Sequence, residues 1–74
     1  MVDSYYKMSK IFKIGDKVYP LYGTNKSKFY HKIGVITEIF DCYCIVNFKE
    51  LDRNVEFGLK WITLVKTAPK YLEK

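Results

Sequence analysis

Ile33-Gly34-Val35-Ile36-Thr37-Glu38-Ile39-Phe40 is the longest stretch of the chain rich in β-branched and aromatic residues. Branching at Cβ stiffens χ1 and suits a pleated surface better than a helix. Gly34 near the start and Asp41 just past the end bracket it as a strand of about eight residues. Thr37 and Glu38 interrupt the apolar run, so the strand is expected to have one dry and one wet face over part of its length. Val35, Ile36, Ile39 and Phe40 are expected to be occupied by packing. The stretch reads as the central strand of a small antiparallel β-barrel.

Outward from it, Cys42 to Phe48 alternates as a third strand, with Cys44, Val46 and Phe48 on one face and Tyr43, Ile45 and Asn47 on the other. The gap around Asp41 is short enough for a tight hairpin. Lys49 to Asn54 mixes charges and reads as a solvated turn. Val55, Phe57 and Leu59 alternate in a fourth strand, Gly58 to Trp61 suits a single helical turn, and Ile62 to Val65 is a fifth strand. Upstream, Gly15-Asp16 is a turn signal before a first strand, in which Val18 and Pro20 are expected to face the core and Tyr19 and Leu21 the other side. Pro20 lacks a ladder donor and marks an edge or an irregularity. Between the first and second strands, Tyr22 to Lys32 is a long loop with three lysines, three aromatic rings and no acid. Loops of that length in small domains are usually functional or disordered. The expected layout is an N-terminal arm over residues 1–12, a single all-β five-stranded barrel closed on itself over 13–66, and a tail over 67–74.

The chain of 74 residues has room for one domain and a small core. Aromatics make up 18% of it, so rings must supply much of the burial. Cys42 and Cys44 are too close in sequence for an unstrained disulfide, and as reduced thiols they point to the cytoplasm. No apolar run reaches the length of a membrane span, and Met1 to Lys10 lacks the apolar stretch of a signal peptide.

Net charge is +5, and its placement is informative. Residues 1–35 carry seven lysines against Asp3 and Asp16, whereas basic and acidic residues balance over 36–74. A cationic first half suits a polyanion, although lysines also serve solubility.

Taken together, Ile14-Gly15-Asp16-Lys17-Val18, Ile33-Gly34-Val35-Ile36-Thr37-Glu38-Ile39, Ile45-Val46-Asn47-Phe48 and Leu59-Lys60-Trp61-Ile62-Thr63-Leu64 resemble the SH3-like barrels of the KOW type. In that pattern a Gly-Asp turn opens the first strand, and a glycine followed by aliphatics makes the second. A Val-x-Phe strand comes third, and a short helical turn precedes the last strand. The resemblance covers about three quarters of the chain, residues 13–66, and implies a small SH3-like barrel. It also implies a partner that is RNA, DNA or the machinery around them. Other SH3-like barrels bind proteins, so fold analogy leaves the partner class open.

Catalytic chemistry is not expected. His31 is the only histidine and sits in a loop, whereas both cysteines fall on a strand. Cys42, Cys44 and His31 fall short of a zinc site, no phosphate-binding glycine loop is present, and Glu50 and Asp52 lie in a charged turn. No cofactor or metal is expected.

Two binding modes remain. In the first, the chain binds nucleic acid through phosphate and stacking contacts of low sequence specificity. Its candidates are Lys13, Lys17, Tyr22, Lys26, Lys28, Phe29, Tyr30, His31 and Lys32, with Phe29 or Tyr30 also suited to plugging the barrel mouth. Lys7 and Lys10 would extend the stripe. Arg53 is the only arginine, which favours backbone contacts over base reading. In the second, Tyr5, Tyr6, Tyr19, Tyr22, Tyr30 and Tyr43 form a protein interface, either of a homodimer or of a phage or plasmid regulator that grips a larger host protein.

Overall fold

The computed structural model describes residues 11–23 and 26–73. Tyr5, Tyr6, Lys7 and Lys10 lie outside the described residues. The architecture is all-β: strands β1 (Lys17–Pro20), β2 (Gly34–Ile39), β3 (Tyr43–Phe48), β4 (Arg53–Gly58) and β5 (Ile62–Leu64), joined by short 3-10 turns. They form one antiparallel sheet in the order β4-β3-β2-β1-β5. The first four strands follow one another as a meander, and β5 returns to pair with β1 after a helical turn at Leu59–Trp61, the position expected for it.

Cross-strand alternation builds the core. In β3, Cys44, Val46 and Phe48 are fully buried, as their spacing predicts. Opposite them, β2 contains an irregularity: Ile36 pairs with Val46, but Glu38 pairs with Ile45, leaving Thr37 as an extra residue. In a regular strand Ile36 and Ile39 would face opposite sides. The bulge shifts the phase by one residue, so Ile36 is fully buried and Ile39 still packs against the core. Phe40, expected in the packing, is instead 42% exposed, because β2 has ended and the ring stacks on Tyr43 at 4.6 Å and 19°.

Two further expectations are corrected. The sheet is not closed on itself. β5 is only three residues long and pairs with β1, while the turn at Leu59–Trp61 separates it from β4. Within that turn the Leu59 N–H donates to Cys42 O at 3.0 Å instead of entering a ladder with β5, and the Leu59 side chain fills the core. The outer side of β1 is also not open. Tyr19 alternates with Val18 and Pro20, yet all three are buried, Tyr19 at 5% exposure. Tyr19 and Leu72 are the buried hydrophobics that do not belong to the main core cluster. Leu72 lies in the 3-10 turn Lys70–Glu73, so the tail is part of the packed structure. At the other boundary Phe12, assigned to the arm, packs in the main cluster.

Pairing of β1 with β2 stops at Val18 opposite Gly34, while β1 continues along β5 as far as Pro20 opposite Ile62. This is the irregularity that the proline announces. From that divergence the long loop departs, and it returns to β2 through the turn Ser27–Phe29.

Candidate functional site

The loop that leaves β1 divides its aromatic residues between two tasks. Phe29 is 3% exposed and packs on Phe48 at 4.7 Å and on Phe57 at 6.3 Å. It is the ring that folds back into the core, and it offers no face to a ligand. Tyr22, Tyr30 and His31 stay at the surface and come together. The Tyr22 ring lies 4.8 Å from that of Tyr30 and 5.7 Å from the His31 imidazole.

A fourth ring joins from the far end of the chain. Tyr71 lies 5.2 Å from Tyr22 and is 56% exposed. The tail is clasped to the loop by hydrogen bonds. His31 Nδ1 meets Leu72 O at 3.1 Å, and His31 Nε2 meets Tyr22 Oη at 2.9 Å. A carbonyl oxygen only accepts, so Nδ1 carries the hydrogen, and in the neutral ring Nε2 accepts from the Tyr22 hydroxyl. Tyr71 O, at 3.5 Å, is the longer, alternative acceptor for the single hydrogen of the same hydroxyl. His31 reaches both partners from a left-handed backbone conformation with φ of 66°, uncommon for a residue with a side chain. The Gly23 N–H donates to Tyr30 Oη at 2.9 Å and fixes the other side of the loop.

Trp61 completes the face. A β-carbon built on Gly23 would stand 3.1 Å from Trp61 Cζ3, and one built on Gly58 would stand 3.2 Å from Trp61 Cδ1. The two ends of the indole thus rest against two glycines, one in the loop and one at the end of β4. Trp61 is 37% exposed, with Lys60 Nζ over its ring at 5.8 Å from the centroid.

The lysines do not form one stripe. Lys17 lies at the opposite end of β1 from Tyr22, roughly 13 Å along the chain from Leu21, and Lys13 precedes it across the turn in which the Asp16 N–H donates to Lys13 O. Lys17 instead shares a groove of 350 Å³ with Asp16, Leu64 and Lys66. Lys32 is paired with Glu50 at 3.0 Å, which offsets its charge locally. Lys26 Nζ lies 5.5 Å from the Phe57 ring centroid, and Lys28 Nζ lies 5.7 Å from that of Phe29, so both cations border the loop.

Electrostatic polarity follows the sheet order. Residues 17–37 and 57–72 contain lysines and no acid, and the β1–β5 pairing makes them neighbours. Glu38, Asp41, Glu50, Asp52 and Glu56 all fall between them in sequence, toward the β3–β4 side. The aromatic face formed by Tyr22, Tyr30, His31, Tyr71 and Trp61 therefore lies at the cationic end.

Of the residues expected at an interface, Tyr22, Tyr30 and His31 are brought together, Phe29 and Tyr19 are withdrawn into packing, and Tyr43 stacks with Phe40 at the β2–β3 hairpin. Trp61 and Tyr71 were missed. The available signal was slight: two aromatics each next to a lysine, Lys60-Trp61 and Lys70-Tyr71, in the acid-free segment 57–72. Both cysteines are free thiols, Cys42 exposed and Cys44 buried. Among the described residues no group of metal-ligating side chains assembles, and no helix is long and apolar enough to cross a membrane.

Comparison of the chain with protein-family models, with curated proteins and with solved structures finds no match.

Proposed function

We propose that this chain is a non-enzymatic binding module that takes nucleic acid on its cationic aromatic face, with low sequence specificity. One observation carries the reading. The exposed rings of Tyr22 and Tyr71 lie 5.2 Å apart, and the exposed Trp61 rests against Gly23, next to Tyr22, where two acid-free, lysine-bearing segments meet. Phosphates are drawn by the lysines and bases offer flat faces to the rings, a pairing that tolerates any sequence. The scarcity of arginine supports backbone contact over base-edge reading. The strand order and the helical turn before β5 support the resemblance to KOW-type barrels, and that likeness adds weight without deciding the partner. Two free thiols fit a reducing compartment, so the reading places the protein in the cytoplasm.

The test is a titration of fluorescently labelled single-stranded DNA, duplex DNA and RNA followed by anisotropy at several salt concentrations. About four phosphate contacts give a slope of log K against log salt near −3 to −4. Absence of binding at low salt overturns the reading and turns attention to a protein partner.

A second reading, a protein-interaction surface, is favoured by a different place. The stacked pair Phe40–Tyr43 projects at the β2–β3 hairpin beside the exposed Cys42, outside the cationic face. Aromatic pairs of this kind anchor protein contacts. Phe40→Ala, assayed by capture of partners from a lysate, separates this surface from the nucleic-acid face.

A further inference from the structure

We infer that Trp61 is the central stacking platform of this face and that it selects unpaired bases over duplex. This deepens the nucleic-acid reading and rests on it. Three observations converge on the indole. Its ends are seated against Gly23 and Gly58, where a β-carbon on either would stand 3.1 to 3.2 Å from a ring atom. Side chains at those positions would shift the ring, so the two glycines form a slot that sets its position. Seated in this way, the residue still keeps 37% of its full exposure. Lys60 Nζ lies over the ring, 5.8 Å from its centroid; the lysine is exposed, so a base that stacks on that face displaces the ammonium, which then meets the phosphate of the same nucleotide.

The electrostatics define where the path ends. Gly58 is paired with Tyr43, and Glu56, two residues back in β4, faces the same side as Gly58. Asp41 sits in the hairpin beyond. Past Trp61 in that direction a phosphate meets carboxylates, whereas in the other direction it meets the acid-free loop and a C-terminal turn in which Lys70 offsets Glu73. A strand therefore runs from Trp61 toward Tyr22 and Tyr71 and stays off the Phe40–Tyr43 pair. A base within a duplex has both faces covered by its neighbours, so a fixed indole gains stacking only from an unpaired base. Phosphate contacts by lysine alone make no such distinction.

Trp61 is the only tryptophan in the chain and reports on its own surroundings. Native fluorescence is titrated with oligothymidine and with a duplex of the same length, beside anisotropy of the labelled oligonucleotides. The expected result is quenching that saturates together with anisotropy, tighter binding of the single strand, and no change on Phe40→Ala. Trp61→Ala, with its fold checked by circular dichroism, weakens single-strand binding by roughly 5- to 150-fold. Should that variant unfold, quenching in the native protein still decides the matter. Binding by anisotropy without quenching, or equal affinity for duplex, overturns the role of Trp61 and leaves the phosphate-binding reading standing. No anisotropy change at low salt overturns both.

Discussion

A β-carbon built on Gly34 would collide with Val46 Cγ1 and stand 3.0 Å from Phe48 Cε1. The glycine marks more than the start of a strand, because it lets two core side chains of β3 pack directly on the β2 backbone. Gly34→Ala is expected to destabilise the fold by about 2 kcal/mol or more, read from the urea midpoint, because close-packed cores resist added volume. The two cysteines, one residue apart, should differ sharply in reactivity. Burial pushes the Cys44 thiol up to about 11, whereas Cys42 is exposed. Iodoacetamide at pH 8 should label Cys42 in the folded protein and Cys44 only after denaturation, as mass spectrometry will show; labelling of both at equal rates contradicts this packing. The raised value also has a sign for stability. The folded state holds the proton more tightly than the unfolded chain, so this contribution is complete below pH 9 and is lost as pH rises toward 11.

At the scale of elements, the C-terminal turn has the least expected role. Lys70–Glu73 falls in a segment that reads only as a short tail, yet Leu72 is fully buried and its carbonyl is held by His31. Leu72→Ala is expected to cost about 2–5 kcal/mol in chemical denaturation, the range for a buried leucine in a site that cannot fully collapse. A cost within experimental error would show the turn to be peripheral. The clasp yields a sharper comparison. His31→Ala and His31→Gly both remove the two hydrogen bonds, but only glycine adopts φ of 66° without penalty. The glycine variant should be more stable than the alanine variant by about 1 kcal/mol. β2 shows the same dependence on context. Its identity as a strand followed from β-branched residues, but the bulge at Thr37 did not, because register is set by the partner strand.

For the whole molecule, the consequential event is the return of β5 to β1. By sequence, the lysine excess belongs to the first half of the chain and the second half is neutral. In the fold, Lys60, Lys66 and Lys70 join the β1–β5 end, where Asp16 and Glu73 are the acids, and Glu38, Asp41, Glu50, Asp52 and Glu56 are left toward the β3–β4 side. Charge reversal should follow space, not sequence. Lys60→Glu with Lys70→Glu is expected to reduce nucleic-acid affinity as much as Lys26→Glu with Lys28→Glu, lowering the magnitude of the salt slope by about one for each phosphate contact removed. Lys49→Glu, near the acidic side, should leave both nearly unchanged. Equal losses from all three would indicate a response to net charge alone.

Branched and aromatic composition, period-two alternation and turn signals were together enough to place the five strands, the buried face of β3, the turn before β5 and the position of the long loop. These depend on the preferences of neighbouring residues and on which side of a pleat is dry, and both are local properties of the chain. The stretch from Ile33 to Phe40 was legible as the central strand for that reason. What only the tertiary structure decided were contacts between distant residues: Phe29, and not Tyr30, being the loop ring that enters the core, Tyr19 being covered, Tyr71 reaching Tyr22, and Trp61 resting on Gly23 and Gly58. No local preference encodes such meetings. They arise because one open sheet must cover both of its faces with the few large side chains available, and that requirement determines which aromatic rings remain for a ligand.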